Sequence, residues 1–552
     1  MSDTRDTRSG GRILVDALRL HGVDRLFCVP GESYLDVLDA LYDTPQIAVV
    51  VAKHEGAAAN MAEADGKLTG RPGICVVTRG PGATHASVGI HTAYQDSTPM
   101  ILFVGQVQRD VRGREAFQEV EFRQMFPALA KWVAEIESAD RIPEYVLRAF
   151  QVATSGRPGP VVLVLPEDVL SEQSSASDTE PFRSVPIGPR GADLALVRGE
   201  LERATQPLLI AGGSCWSSEG CAALARFAEA NALPVLASFR RQDLIDNDHA
   251  CYAGHLSLGM PPHLQQRVKT ADLIVALGTR LGDINTMTYS LLRPPRLAER
   301  LVHVHAEPTE LNRVYQADVA IAASPSLAAA GLAALEPIEA PRWTAWTAAA
   351  RQEYEKFLKV PHTSPPRGVD LAVVIRHLAA HLPPDAIVAN GAGNFTVWVH
   401  RFFTYRRPHT ELAPTSGSMG YGFPASIAAS LRHPDRVTVC VAGDGDFLMY
   451  PQELATAAQY GARVIVLIAN NGLYGTIRMH QDRRFPGRVS GTMLAGPDFV
   501  ALAQSFGAYA ERVDTTGAFA AAFERACAAG RTAVLELVTD PGQITPDRRL
   551  TA

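Results

Sequence analysis

The sequence has few cysteines and lacks both a long apolar segment and a basic block. Its seven cysteines, among 552 residues, form no CxxC motif and no paired metal-ligand spacing. We therefore expect free thiols in a reducing compartment rather than disulfides or a zinc site. Apolar runs such as Met100–Val104 and Val464–Ala469 have the length of strands and are far shorter than a membrane span. These absences predict a cytoplasmic protein with no membrane partner.

The charge pattern excludes further classes. The formal net charge is −6 and the basic residues form no stripe, so we expect no nucleic-acid partner. Residues 1–11 are polar and are not followed by the apolar core of a signal peptide. With 47% apolar and 20% charged residues, the composition is that of a globular protein.

Short β-branched runs alternate with longer helical stretches along the chain. This alternation predicts an α/β protein with doubly wound parallel sheets. Two segments rich in proline, serine and charge, 171–193 and 336–367, interrupt the pattern and indicate linkers. They divide the chain into three predicted domains, at residues 1–175, 190–338 and 366–545.

The most informative stretch follows the apolar run Val437–Ala442. It reads Gly443-Asp444-Gly445-Asp446-Phe447, and the next apolar run ends in Asn470-Asn471-Gly472. Taken alone, each motif is ordinary turn chemistry. Because both follow buried strands with a helix between them, the pair predicts one polar site at the edge of a sheet.

That site has the ligand types that a diphosphate carrying Mg²⁺ requires. Asp444 can supply a carboxylate oxygen, Asn471 an amide oxygen and Leu473 a backbone carbonyl, which are hard ligands for Mg²⁺. Gly443 and Gly445 allow the backbone to approach phosphates closely. A helix predicted to begin near Pro451 would direct its free N–H groups toward the anion.

With these motifs the sequence resembles the thiamine-diphosphate enzymes of the acetolactate synthase and 2-oxo acid decarboxylase type. Those enzymes share a GDG motif followed, after a span of this length, by NN. The resemblance extends from Arg12 to about Val538. It implies a pyrimidine-binding N-terminal domain, a central Rossmann-like domain and a C-terminal diphosphate-binding domain. Further segments that resemble the family are 53–59 (KHEGAAA), 78–84 (TRGPGAT), 93–100 (AYQDSTPM), 116–119 (AFQE) and 416–424 (SGSMGYGFP).

Glu55 is the catalytic residue that the resemblance implies. By itself, a glutamate at the start of a helix is ordinarily explained by the helix dipole. In the family, the glutamate at this position hydrogen-bonds to N1′ of the cofactor's aminopyrimidine. Holding a proton there favours the imino tautomer, which removes the proton from C2 of the thiazolium ring.

The resemblance also implies the other residues around thiamine diphosphate and the substrate. Met419 matches the bulky residue that bends the cofactor, and Asn394 matches a diphosphate contact. Expected cofactor contacts also include Gly31, Pro81, Gly82, Gly443, Gly445, Asp446, Phe447 and Tyr474. The residues expected to face substrate are Phe117, Gln118, Lys131 and His480. His54 and His85 lie near the site in the sequence.

The sequence departs from acetolactate synthases at three places. Ile284 occupies the position of an arginine that orients the second 2-oxo acid in those enzymes. His480 stands about where they have a tryptophan. The stretch Gly254–Met260 differs from their FAD-binding segment, so the resemblance leaves the binding of FAD open.

The predicted function is a carboligase that decarboxylates a 2-oxo acid and transfers the acyl group to a second carbonyl. The alternative is a decarboxylase or 2-hydroxyacyl lyase that releases an aldehyde without ligation. In the family, the glutamate and the metal-diphosphate residues of one site come from different chains. The resemblance therefore implies a homodimer as the smallest functional unit, and homotetramers are common.

Overall fold

The computed structural model describes residues 7–359 and 362–550 and contains three domains. Each domain is built on a six-stranded sheet in which every strand pairs parallel to its neighbours, with helices on its faces. This confirms the predicted α/β class. Residues 1–6 of the first predicted domain, and residues 360 and 361 of the second linker, lie outside the described residues.

The first sheet lies between two layers of helices. In spatial order its strands are Ala48–Val51, Arg25–Cys28, Gly73–Val77, Met100–Gln106, Pro160–Pro166 and Trp132–Glu135. The helices of this domain are Gly10–Leu20, Leu35–Tyr42, Glu55–Thr69, Gly80–Asp96, Phe122–Met125, Ile142–Thr154 and Glu167–Ser171. A small antiparallel pair, Arg8–Ser9 with Gln173–Ser174, joins the two ends of the domain.

The middle sheet has the same doubly wound form. In spatial order its strands are Tyr252–His255, Val235–Ala237, Pro207–Ala211, Leu273–Leu277, Arg300–His305 and Val319–Ala322. Its helices are Gly191–Arg203, Ser218–Ala230, Pro262–Thr270 and Pro325–Ala333, followed by Thr344–Lys359. That last helix lies in the second predicted linker, yet Trp343 and Tyr354 are buried in the core of the middle domain.

The third sheet positions the predicted metal-diphosphate residues. In spatial order its strands are Glu411–Leu412, Ile387–Asn390, Thr438–Gly443, Val464–Asn470, Ala533–Val538 and Tyr509–Val513. Its helices are Leu371–His381, Phe395–Phe402, Gly422–Arg432, Asp444–Phe447, Glu453–Tyr460, Gly475–Arg484, Phe499–Ser505 and Phe519–Ala528. An antiparallel hairpin, Gln543–Thr545 with Arg548–Arg549, follows. Short 3-10 turns elsewhere in the chain are Glu32–Tyr34, Arg109–Val111, Ala139–Arg141, Gln242–Leu244, Ile284–Thr286, Pro308–Glu310 and Thr516–Ala518.

All seven cysteines are free thiols, and no helix of the described residues combines the length and apolarity needed to cross a membrane. Five of the thiols are buried, at Cys28, Cys75, Cys221, Cys251 and Cys440. The prediction of free thiols is therefore confirmed.

The first and third domains share one continuous hydrophobic core. Helix Glu55–Thr69 crosses helix Gly80–Asp96 and also packs against helix Gly422–Arg432 of the third domain. Small side chains allow this close approach, since a Cβ added to Gly89 would lie 2.4 Å from the Cβ of Ala59. The alanine-rich sequence after Glu55 thus serves helix packing.

A network of buried charged side chains stabilises the interface between the first and third domains. Lys67 forms ion pairs with Asp96 and with Glu63, and its Nζ lies 3.2 Å from Glu63 Oε1. The Tyr421 hydroxyl of the third domain donates to Glu63 at 2.5 Å, and the Thr415 backbone N–H donates to Asp96 at 2.7 Å. Each buried charge therefore has a charged partner and polar contacts from the opposite domain.

Glu411 connects the middle and third domains. The backbone N–H of Gln242 in the middle domain donates to its Oε2 at 2.6 Å, while Oε1 has no hydrogen-bond partner among the described residues. Burial, together with the adjacent carboxylate of Asp243, raises the pKa of Glu411 to about 8 from an ordinary value near 4.5. At pH values between these two, the folded protein therefore retains a proton on Glu411 that the unfolded chain releases.

This retained proton predicts a pH dependence of stability. Between pH 4.5 and about 8, the free energy of unfolding should fall as pH rises, because the unfolded state binds fewer protons there. In the variant Glu411→Gln this part of the dependence should disappear. Urea unfolding at a series of pH values measures it, with Glu524→Gln, an exposed residue of the same domain, as the control. A Glu411→Gln profile parallel to that of the wild type contradicts the prediction.

Candidate active site

A cavity of about 1080 Å³ lies between the middle and third domains. Its walls contain the carboxyl ends of strands Thr438–Gly443 and Val464–Asn470, where doubly wound sheets bind ligands. Of the residues predicted from the sequence, those that line the cavity are Asn394, Met419, Gly443, Asp444, Gly445, Asp446, Asn471, Leu473, Tyr474 and His480.

The parallel pairing of the two strands brings the GDG and NNG motifs together. Gly443 lies opposite Ala469 in the ladder. The Asp444 carboxylate then bridges both loops, accepting the N–H of Gly445 at 2.9 Å and the N–H of Gly472 at 2.8 Å. Burial raises the pKa of Asp444, and these two hydrogen bonds oppose that effect.

Most of the potential metal ligands in these two loops are oxygen atoms. Asn471 Oδ1 accepts the N–H of Leu473 at 3.0 Å, which fixes the amide beside the Asp444 loop. The carboxylate of Asp444, the amide oxygen of Asn471 and the carbonyl of Leu473 form a donor set suited to Mg²⁺. A Cβ on Gly445 would lie 2.7 Å from the Tyr474 ring, so glycine is needed where these loops meet.

The structure places a short helix, Asp444–Phe447, directly after the strand. The sequence predicted a turn there and a helix from near Pro451, which begins at Glu453. Phe447 is 2% exposed and packs against Phe423 and Phe499 in the shared core. Its side chain lies outside the cavity lining, although the sequence predicted a cofactor contact there.

Asp446 organises the loops on the opposite wall. Its Oδ1 accepts the backbone N–H of Ala392 at 3.0 Å and of Gly420 at 2.9 Å. Burial raises the pKa of Asp446 to about 6. Because Ala392 precedes Asn394 and Gly420 follows Met419, this carboxylate positions both predicted cofactor contacts. Asn394 is held further by the Thr476 hydroxyl, which donates to its Oδ1 at 2.9 Å.

Arg240 of the middle domain hydrogen-bonds to the same loops of the third domain. It is 5% exposed, and its guanidinium donates to the backbone carbonyls of Gly391, at 2.9 Å, and of Pro414. Nothing in the sequence around Arg240 indicated a contact with the third domain. Only the packing of the two domains reveals it.

The predicted pyrimidine-side residues form a second cluster in the first domain, apart from the cavity lining. Helix Glu55–Thr69 begins at Glu55, whose side chain is 13% exposed. A Cβ on Gly82 would lie 3.4 Å from Glu55 Oε1 and 2.9 Å from Thr78, and a Cβ on Gly31 would lie 2.4 Å from Thr78. Gly31, Gly82 and the adjacent Pro81 thus surround Thr78 beside Glu55.

Three of the predicted substrate residues also belong to the first domain. Phe117 is 76% exposed, and the backbone carbonyl of Gln118 accepts the N–H of Gly80 at 3.0 Å. Lys131 donates from Nζ to the carbonyls of Val152 and Ser155 at 2.6 and 2.7 Å. Burial lowers the pKa of Lys131 to about 8. These contacts direct the ammonium to its own domain, away from the cavity.

The cavity walls also contain residues that decide whether a negatively charged substrate can bind. Ile284 lines it, as does the exposed His480. Two of the arginines in its walls have their guanidinium groups engaged, Arg240 by carbonyls and Arg401 by Asp547 at 2.7 Å. Arg483, three positions after His480, also lines the cavity, and its side chain is exposed. No motif in the sequence distinguishes Arg483 from the neighbouring arginines.

Comparisons with known proteins place all three domains in one family. Residues 8–125 match the N-terminal TPP binding domain of thiamine pyrophosphate enzymes, residues 195–332 the central domain and residues 391–537 the C-terminal TPP binding domain.

Three similar proteins carry acetolactate synthase names. The chain is 35% identical to the acetolactate synthase large subunit of Parasynechococcus marenigrum, over 91% of this chain and 82% of that protein. It is 32% identical to a probable acetolactate synthase large subunit of Methanocaldococcus jannaschii, over 97% and 93% of the two chains. Identity to the large subunit of acetolactate synthase isozyme 2 of Escherichia coli is 30%, over 92% and 91%.

Proposed function

The chain belongs to the thiamine pyrophosphate enzyme family and is a thiamine-diphosphate-dependent enzyme; from this premise we propose that it is a carboligase acting on 2-oxo acids. In the proposed reaction, a 2-oxo acid loses carbon dioxide and its acyl group is transferred to a second carbonyl. The observation that carries this proposal is the similarity to acetolactate synthase large subunits over more than nine-tenths of the chain.

The residues at the two strand ends fit the cofactor's charged end. Mg²⁺ would be held by Asp444, Asn471 and the Leu473 carbonyl, and it would offset the negative charge of the diphosphate. Asp446 would keep Asn394 and Met419 in place on the opposite wall through its two backbone hydrogen bonds. When bound, thiamine diphosphate supplies a thiazolium ring that accepts the electron pair released as the carboxylate leaves.

Glu55 would hold a proton at the pyrimidine end. Its Oε1 is the carboxylate oxygen nearest to Gly82, in the turn expected over the pyrimidine, so this oxygen is the one available for N1′. Glu55 does not line the cavity of its own chain, which supports the proposal that a second chain completes the site. Exposed apolar side chains near both halves, among them Phe117, Ile477 and Phe485, are consistent with a homodimer.

The function is tested by product analysis. The purified protein, supplied with Mg²⁺ and thiamine diphosphate, should convert a panel of 2-oxo acids to acyloins or acetohydroxy acids. Glu55→Gln should reduce turnover by a factor of about 100 or more, because general acid–base groups contribute at least that much. Glu32→Gln, a mostly exposed carboxyl of the same domain, is the control.

Each result of that experiment has a consequence. Aldehyde and carbon dioxide without ligation would replace the carboligase proposal with a decarboxylase or lyase. No product across the panel would contradict both.

The segment Gly254–Met260 forms part of the cavity wall, and the visible absorbance spectrum of the same sample measures whether FAD is bound.

Asp444→Asn should weaken the binding of thiamine diphosphate in the presence of Mg²⁺ by about tenfold or more, since a charged ligand contact is worth about 1.5–3 kcal/mol. Isothermal titration calorimetry measures the dissociation constant. Asp514→Asn, an exposed carboxylate of the same domain, should bind like the wild type. If the Asp444→Asn dissociation constant is unchanged, another group holds the metal.

We also propose that Arg483 binds the carboxylate of the second 2-oxo acid, since position 284 carries an isoleucine that cannot do so. Arg483→Gln should raise the KM for that substrate by about tenfold or more and leave KM for a neutral aldehyde acceptor unchanged. Arg484→Gln is the matched control, because Arg484 is adjacent and exposed but does not line the cavity. Equal KM values for Arg483→Gln and the wild type would exclude this role.

A further inference from the structure

Glu55 has a hydrogen-bonding partner in its own domain that the family's chemistry does not require. His85, on helix Gly80–Asp96, places its Nδ1 2.8 Å from Glu55 Oε2. The His85 side chain is 52% exposed, whereas that of Glu55 is 13% exposed. In the single chain, the imidazole therefore lies between a nearly buried carboxylate and the surface of the first domain.

The neighbouring His54 ring orients the imidazole of His85. The His54 ring stacks on His85, with centroids 4.6 Å apart, and contacts the Tyr450 ring at 5.2 Å. His54 Nδ1 accepts the N–H of Gly56 at 3.0 Å, and burial lowers the pKa of His54. His54 is thus a neutral ring that fixes the plane of the His85 imidazole.

The other ionisable groups around Glu55 differ from His85 in their position and in their hydrogen bonds. Tyr34 and Cys75 lie on its buried side, where burial raises the pKa of each. Glu453, from the third domain, accepts the backbone N–H of Lys53 at 3.1 Å. Among the described residues, His85 is the titratable side chain that hydrogen-bonds to Glu55.

We propose that His85 is a positioning residue that relays protons between solvent and Glu55, an inference that rests on the proposed role of Glu55. In the resting pair, Nδ1–H donates to Oε2 and leaves Oε1 free beside Gly82. A hydronium ion gives a proton to Nε2 and becomes water, while Nδ1 passes its own proton to Oε2 and converts the carboxylate to the neutral acid. The reverse movement returns a proton to solvent and restores the pair. One proton enters and one is transferred, so the relay is balanced and needs no other reactant.

The first test uses the protein without cofactor. A neutral imidazole that donates from Nδ1 must be the Nδ1–H tautomer, which ¹⁵N shifts of labelled histidine distinguish from Nε2–H. The wild type should show Nδ1–H at His85, and Glu55→Leu, which has no acceptor there, should lose that preference. The Nε2–H tautomer at His85 in the wild type overturns the inference.

The second test measures exchange of the C2 proton of bound thiamine diphosphate with deuterium, without substrate. His85→Asn should slow exchange by about tenfold or more while the dissociation constant for the cofactor stays the same. Added imidazole should restore exchange in His85→Ala, because the position opens to solvent. His91→Asn, an exposed histidine on the same helix, should exchange like the wild type.

The outcomes separate this inference from the proposed function. Slow exchange in both Glu55→Gln and His85→Asn, with rescue by imidazole, supports the relay. Slow exchange in Glu55→Gln alone, or no rescue of His85→Ala, overturns the relay and leaves the function standing. If the wild type does not accelerate exchange over free cofactor, the proposed role of Glu55 fails and the relay fails with it.

Discussion

The parallel pairing of strands Thr438–Gly443 and Val464–Asn470 is the constraint on which the proposed metal-diphosphate side of the site depends. Because parallel strands end at the same edge of a sheet, the GDG and NNG loops meet there. Asp444 then ties the two loops together through the N–H groups of Gly445 and Gly472. A shift of one strand by a single residue would turn Asp444 away from its partners.

Buried polar groups, rather than apolar contacts alone, transmit this arrangement to the surrounding loops. Asp446 fixes the segments that carry Asn394 and Met419, and Arg240 fixes the same loops from the middle domain. Such groups are costly to bury unless they are hydrogen-bonded. Each one therefore restricts the loops to arrangements that satisfy it, which gives the cavity a defined shape.

The opposite half of the site is organised around Glu55, on a helix packed tightly against both the first and third domains. The small residues after Glu55 let helices Glu55–Thr69 and Gly80–Asp96 approach closely. That approach brings His85 within hydrogen-bond distance of the carboxylate. The same packing that stabilises the domain interface thus sets the environment of the proposed catalytic group.

Much of the fold could be predicted from the sequence, because strand runs and linkers leave local signals. The apolar runs Met100–Val104 and Val464–Ala469 lie within strands Met100–Gln106 and Val464–Asn470. The short helix at Asp444 and the length of helix Thr344–Lys359 were missed. The first depends on a loop held by distant backbone groups, and the second on packing against the middle domain.

By itself, the sequence determined the α/β class and the family and predicted the residues for metal and cofactor, because all of these depend on residue types and their spacing. Tertiary structure alone decided how those residues are used. It placed Phe447 in the core, directed Lys131 to backbone carbonyls, joined Arg240 to the third domain and paired His85 with Glu55. These outcomes depend on contacts between segments far apart in the chain, which local patterns do not encode.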